Sequence, residues 1–317
     1  MKPDGRLLGP GAEFDLIRKL REHWGPLASA IGDDASVLRI PRGEQMVIST
    51  DTALETVHFR RDWLSLREVG YRAVTSALSD LAAMAATPQG FLTALQLTPE
   101  SLEELLDLAD GIADAARTAG TVILGGNLSR GDLLGITTTV VGSVFTPLTR
   151  VGARPGDMLY VTGALGGPTA AVKALIAGAT LTASLRDRFA RPLARLAEAR
   201  WLAARGAIAA IDISDGLASD AAHLAAASDV SLEIQVERVP VFHGATVDDA
   251  LAGGEEYELL VVASSALPEA EFAERFSLPL TPIGRVGPAD SGKGGAVRFT
   301  KAGKRVAVPS GYDHFSR

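Results

Sequence analysis

Cysteine is absent from all 317 residues. That one absence removes disulfides, zinc–thiolate sites, iron–sulfur clusters and cysteine nucleophiles, and it suits a reducing compartment such as the cytoplasm, the expected location. Aromatic residues are scarce, at 5% of the chain. Histidines number five, His23, His58, His223, His243 and His314. None stands in an H-E-x-x-H pair or beside a G-x-S-x-G elbow, so zinc-protease and serine-hydrolase chemistry have no support. Lys and Arg form no block, and the formal net charge is −7, which argues against a nucleic-acid partner. No run approaches the ~18 uninterrupted apolar residues of a membrane span. The opening "MKPDGRLLGPGAEFDLI" lacks the unbroken apolar core of a signal peptide. No membrane partner is expected.

What is present fits a globular protein large enough for two domains, with 47% hydrophobic and 22% charged residues. Residues 13–24 carry Phe14, Ile17, Leu20 and Trp24 at helical spacing. "ASVLRI" and "MVISTD" read as strands flanking the turn "PRGE". A long Ala-rich helix over 65–86 stops before Pro88, "GFLTALQL" is a strand, and "PESLEELLDLADGIADAARTAG" is an amphipathic helix ending at Gly120. "TVILGG" and "LLGITTTVVGSVF" are further strands. The Pro- and Gly-bearing stretch "TPLTRVGARPGD" (146–157) then breaks the pattern and marks the boundary between an N-terminal domain, 1–147, and a C-terminal domain, 148–317. The second half reads as strand "MLYVTG", helices through 169–178 and 186–205, strand "AIAAIDI", helix "LASDAAHLAAAS", and strands "SLEIQVE" and "YELLVVAS". Two consecutive α/β domains are the expected fold class.

The short-armed carboxylates raise the functional question. "IDISDGLASD" sets Asp212, Asp215 and Asp220 after the apolar "AAIAAI", at a strand-to-helix corner where ligands often bind α/β proteins. Ser214 and the aspartates can equally cap the helix that follows. "AIGDDASVL" adds Asp33 and Asp34 in a turn, "VISTDTALE" puts Ser49, Thr50, Asp51 and Thr52 at a strand end, and "SALSDLAAM" places Asp80 among small apolar residues. Turns, caps and a solvated helix face account for each alone. Together they suggest hard-cation sites, because crowded carboxylates repel unless positive charge joins them, and magnesium favours oxygen ligands and phosphates. "LGGNLSRGD" follows a strand, and its Gly125 and Gly126 allow close backbone approach. "GPADSGKG" (287–294) imitates a phosphate loop but ends in Gly, and a hairpin pattern follows it instead of a helix. It reads as a surface loop, so no P-loop is expected. No G-x-G-x-x-G follows a strand and opens a helix, so a dinucleotide fold has no support.

Read in order, "IGDDA", "ISTDT…HF", "LSDLAAM", "GGNLSRG", "TRVGARPGD", "YVTG", "DISDGLASD", "GGEEYEL" and "GYDHF" resemble the thiamine-monophosphate kinases, part of the aminoimidazole ribonucleotide synthetase-like superfamily. The matching motifs run from about residue 30 to 316. The resemblance implies two α/β domains of that superfamily's type. It also implies transfer of the γ-phosphoryl of ATP to thiamine monophosphate with several Mg2+ ions, and a homodimer joined through the N-terminal domains with ATP near the cleft between subunits. Carried over by motif, Asp33, Asp34, Ser49, Thr50, Asp51, Asp80, Asp212 and Asp215 resemble magnesium ligands. Gly126, Asn127, Arg150 and Ser214 resemble nucleotide contacts, and His58, Glu255 and Phe315 resemble substrate contacts. No residue is assigned as an acid or base. The family's usual "GGDTTRG" stands here as "GGNLSRG", so Asn127 offers a carbonyl oxygen but no charge. "GGEE" replaces the usual "GGED" and keeps the charge. Asp220, further into the helix, is expected to be solvated or structural.

The missing cysteine sets aside the selenophosphate synthetases and the hydrogenase-maturation relative, which use one. Aminoimidazole ribonucleotide synthetase remains an alternative enzyme, and so does a metal-dependent phosphatase. A magnesium–nucleotide-binding homologue that has lost catalysis is an alternative of another class.

Overall fold

The computed structural model describes residues 11–32, 34–98, 101–289, 295–308 and 311. The chain falls into two compact units, residues 1–81 with 86–146, and residues 82–85 with 147–317.

The first unit contains α1 (Ala12–Trp24), β1 (Gln45–Leu54), α2 (Leu66–Ala83), β2 (Thr87–Leu97), α3 (Leu102–Ala119), β3 (Ile123–Arg130) and β4 (Gly135–Val144). Its sheet has the order β1-β4-β2-β3, with β2 and β3 parallel and the other pairs antiparallel. α3 is fixed at both ends. Ser101 and Glu104 form a reciprocal capping box, and Gly120 closes the helix at φ 64°. α2 and α3 approach so closely that a Cβ on Gly70 would lie 2.4 Å from the Leu108 carbonyl oxygen, and one on Gly111 would lie 1.9 Å from that of Arg67. The Trp24 indole ties α1 to α3 by donating to the Ala109 carbonyl at 2.9 Å.

Alternation along the strands divides the residues of this sheet between two faces. Val47, Ser49 and Asp51 share the face on which α2 lies, where Leu81 reaches Gly142. The opposite face leaves Met46 and Ile48 each 55% exposed, with Thr50, Ala94, Gln96 and Asn127 exposed beside them.

The second unit contains β5 (Met158–Thr162), α4 (Gly167–Ile176), α5 (Ala183–Ala190), α6 (Leu196–Ala203), β6 (Ala207–Asp212), α7 (Leu217–Ser228), β7 (Ser231–Gln235), α8 (Val247–Ala252), β8 (Leu259–Ala263), α9 (Glu269–Phe276), β9 (Leu280–Gly287), β10 (Val297–Lys301) and β11 (Lys304–Val306). They build a sheet of order β11-β10-β7-β9-β5-β8-β6. Among the pairings of these described strands, only β7–β10 is parallel. Every residue of β8, "LLVVA", is buried, as expected of a strand covered on both faces. Leu217, Leu224 and Ala225 of α7 join Leu159, Ile211, Ile234, Leu260 and Ile283 in one core.

Several expected elements shift. Residues 35–40 form no strand. Val37 is 90% exposed, and the segment is held by the Ser36 hydroxyl donating to the Leu124 carbonyl, a side-chain tie in place of a backbone ladder. The helix expected over 186–205 is two helices, α5 and α6, because Pro192 supplies no N–H and disfavours helix at the residue before it. Ser49–Thr52 lie inside β1 and not at its end, and Gly125–Asn127 lie inside β3 and not after it. The phosphate-loop imitation begins at the end of β9, and strand β10 follows it; residues 290–294 lie outside the described residues.

Candidate functional site

In the first unit, three of the candidate metal and nucleotide residues come together. Asp34, Gly126 and Asn127 line one cavity of about 210 Å³, walled by Phe14, Ile17 and Trp24 of α1 and by Leu92 and Leu124 of the sheet. The close approach allowed by the glycine pair is made at Gly126, where a Cβ would lie 1.9 Å from the Thr93 carbonyl oxygen. At Gly125 a Cβ would meet only the Leu92 side chain, at 3.7 Å. Asn127 pairs with Ala94 across β2 and is exposed.

A second group stands on the helix-covered face. The Ser49 hydroxyl on β1 donates to the Asp80 carboxylate on α2 at 2.5 Å, and Asp51 follows on the same face, its Oδ1 accepting from the Thr52 amide at 2.7 Å. Asp80 thus has a definite post instead of a solvated helix face. Thr50 turns the other way and shares a 3.1 Å hydroxyl contact with Thr139, so the "STD" run is divided between faces. His58 closes the turn after β1. Its Nδ1 accepts from the Leu54 amide at 3.1 Å, which leaves the proton of the neutral ring on Nε2. Asp33 lies outside the described residues.

In the second unit, β6 ends at Asp212 and α7 begins at Leu217, so Ile213–Gly216 form the corner. Neither Ser214 nor Asp215 caps α7. The N-cap is Gly216, at φ 110° and with no side-chain cap bond. Asp220 reaches back from the first turn instead, and its Oδ2 accepts from the amides of Ser214 (3.0 Å) and Asp215 (3.1 Å). It is 2% exposed, hence structural and not solvated. Glu255 is brought to this corner, its amide donating to the Ser214 carbonyl at 2.7 Å, while Tyr257 donates to Ile213 at 2.9 Å. Gly311, at the head of the "GYDHF" motif, also lies here: a Cβ on it would be 2.4 Å from the Asp215 carbonyl oxygen. Phe315 lies outside the described residues. Arg150 is anchored elsewhere. Its carbonyl accepts from Ser228 at the far end of α7, a helix of 12 residues and so roughly 18 Å long.

Behind the corner is a charge network that the sequence reading missed. Glu256 and Glu258 are 0% and 1% exposed. Arg195 grips Glu258 with Nε at 2.8 Å and Nη2 at 2.5 Å, and the Thr162 hydroxyl adds a bond at 2.6 Å. Arg188 lies 2.9 Å from the Glu256 carboxylate and 3.3 Å from that of Glu258. Burial works against ionisation of both, yet Glu258, held by two arginines, ends below the usual carboxylate range. Glu256 is pushed up to about 7 because burial and the Glu258 charge outweigh Arg188 and the Gly166 amide. The available signal was the alternation "EYEL" running into an apolar strand, which buries Glu256 and Glu258, together with Arg188 and Arg195, two of the three arginines in "DRFARPLAR".

Among the described residues, no three His, Asp or Glu side chains gather closely enough to hold a metal ion. The donors that do stand together, Ser49 with Asp80 and Asp212 near Asp220, are all oxygens, which suits magnesium. Burial pushes Asp220 up to about 7, and the charges of Asp212 and Asp215 add to the shift. An acid whose folded pKa exceeds its ordinary value of about 4 binds more protons folded than unfolded, so its contribution to stability falls as pH rises from about 4 to about 7. Asp220→Asn is therefore expected to gain stability relative to the unaltered protein across that window. Thermal unfolding in chelator at pH 5 and pH 7.5 measures it; a difference that does not change with pH contradicts this account.

Comparison with known proteins bears on what these groups serve. Residues 32–144 match the family model "AIR synthase related protein, N-terminal domain", and residues 154–296 match "AIR synthase related protein, C-terminal domain". The thiamine-monophosphate kinase of Methanopyrus kandleri is 37% identical over 300 residues, which cover 90% of this chain and 93% of that one. The crystal structure of the thiamine-monophosphate kinase of Stenotrophomonas maltophilia K279a superposes with a TM-score of 0.80 at 33% identity, over 93% of this chain and 98% of that one. A structure described as AaThiL complexed with AMPPCP and TMP matches with a TM-score of 0.75 at 30% identity, over 96% of this chain and 97% of that one. The chain belongs to the thiamine-monophosphate kinase family.

Proposed function

We propose that this chain transfers the γ-phosphoryl group of ATP to the phosphate of thiamine monophosphate, giving thiamine diphosphate and ADP. One observation carries the reading: a relative 30% identical over 96% of this chain has been solved with AMPPCP and TMP, an ATP analogue and what we read as thiamine monophosphate. The acceptor is a phosphate oxygen, already nucleophilic and already anionic. It needs no protein base, and charge repulsion is the main obstacle. Magnesium, when bound, neutralises the phosphates and aligns them for in-line attack.

We assign the oxygen donors Asp34, Ser49, Asp51 and Asp80 of the first unit to magnesium, with Asp33 and Thr50 as further candidates, and, as a set of its own, Asp212 and Asp215 of the second unit. Gly126 and Asn127 in the first unit are assigned to the nucleotide, and Ser214 and Arg150 in the second are nucleotide candidates by motif alone. His58, with its neutral-ring proton on Nε2, can donate to a phosphate oxygen. Glu255 can accept from the aminopyrimidine of thiamine, and Phe315 can stack on its rings. No helix among the described residues is long and apolar enough to cross a membrane. We propose a cytoplasmic location, where ATP and thiamine monophosphate would be at hand.

The reading predicts formation of thiamine diphosphate from thiamine monophosphate, ATP and magnesium. It also predicts that Asn127→Asp lowers the magnesium concentration needed for half-maximal rate. Activity only in Asn127→Asp would identify a decayed kinase. No product from either protein while ATP still binds would overturn the kinase reading.

We further propose a homodimer built on the open face of the first unit's sheet. Met46 and Ile48, each 55% exposed on a strand, form a patch that a second copy related by a two-fold axis would cover with the same patch. Light scattering during size-exclusion chromatography should report a dimer, and Ile48→Asp should shift it to monomer. A monomer in the unaltered protein at micromolar concentration contradicts the proposal.

A further inference from the structure

The corner of the second unit depends on a turn that its own residues do not favour. Glu255 and Tyr257 both adopt left-handed backbone, at φ 59° and 52°, a conformation costly for residues with a side chain and kept only where the surroundings impose it. Part of the constraint is backbone: the Glu255 amide donates to Ser214, and the Tyr257 amide to Ile213. The residue between them is fixed from the other side. Arg188 Nη2, from α5, donates to the Glu256 carbonyl at 2.8 Å and to its carboxylate at 2.9 Å, so one guanidinium holds both backbone and side chain of the same residue. The other carboxylate oxygen of Glu256 accepts from the Gly166 amide, at the N-cap of α4. Glu258 does not depend on Arg188 in the same way, since Arg195 and Thr162 satisfy both its oxygens. The Arg188 side chain is 10% exposed, and its Nη2 is turned onto Glu256.

We propose that Arg188 is a positioning residue for the acceptor substrate: by clamping Glu256 it fixes the left-handed turn that presents Glu255 beside Ser214. The inference rests on the reading of Glu255 as a substrate contact. Both contacts leave from the one atom Nη2, and a lysine ammonium ends one bond short of it. Arg188→Lys therefore keeps the charge that the buried glutamates need and releases the turn.

The test is a cycle of Arg188→Lys, Glu255→Gln and the double variant, each shown to be folded by circular dichroism, with kcat and KM measured for both substrates. Arg188→Lys should raise KM for thiamine monophosphate about tenfold and KM for ATP less than about twofold, the order of effect expected from a displaced contact. In the Glu255→Gln background the same substitution should add less than about twofold, because the contact it positions is already lost. If Arg188→Lys does not fold, Glu256→Gln, isosteric and without the charge that Arg188 pairs with, should show the same split. A raised KM in Glu255→Gln with no change in Arg188→Lys, or a full additional factor in the double variant, overturns the positioning role alone. An unchanged KM in Glu255→Gln overturns the substrate reading of Glu255 and this inference with it. Absence of thiamine diphosphate formation by the unaltered protein overturns the functional reading on which both stand.

Discussion

A carboxylate removed from water must be neutralised by a proton or by a cation, and the second unit contains both solutions within a few residues. Glu258 keeps its charge because Arg195 and Arg188 surround it. Asp220 has no such partner among the groups that shift it. Two amides favour its charge, Asp212 and Asp215 oppose it, and it takes up a proton near neutral pH. The first arrangement is a finished structural element. The second leaves Asp212 and Asp215 in a corner where added positive charge would be stabilising. That difference separates the carboxylates that build this fold from those we assign to its chemistry.

The rest of the second unit follows from that corner. Asp220 holds the amides of Ser214 and Asp215, the Ser214 carbonyl holds Glu255, and Arg188 fixes Glu256 behind it. In the first unit the equivalent work is done by strand alternation. β1 sends Ser49 and Asp51 to the face of α2 and Asp80, and sends Thr50 to the open face beside Thr139. A sheet that commits one face to helices and leaves the other partly apolar can serve a metal site and a subunit contact with the same strands.

Much of this was legible in the sequence, because the signals were local. Gly120 bounded α3 at its C-terminal end, apolar runs located the strands, and ordered motifs identified the family. What was not legible depended on partners distant along the chain. "ASVLRI" looks like a strand, but only a pairing partner could make it one. For Asp220 the choice between solvated and structural stayed open, because the amides it accepts from, those of Ser214 and Asp215, are ordered by a turn whose shape the sequence does not spell out. Glu256 and Arg188 are separated by 68 residues, and no local pattern links them. Ser49–Asp51 were expected to act as one group because their spacing was read without the alternation that sends Thr50 to the other face.

The central claim is direct transfer between two phosphates, and the label tests it most directly. ATP labelled in its γ-phosphate is mixed with the protein, magnesium and thiamine monophosphate, and the label is followed against ADP formed. The account predicts one labelled thiamine diphosphate per ADP, with no labelled inorganic phosphate in excess of a control without protein. Label released as inorganic phosphate at the same rate with and without thiamine monophosphate would contradict it and would describe an ATPase instead.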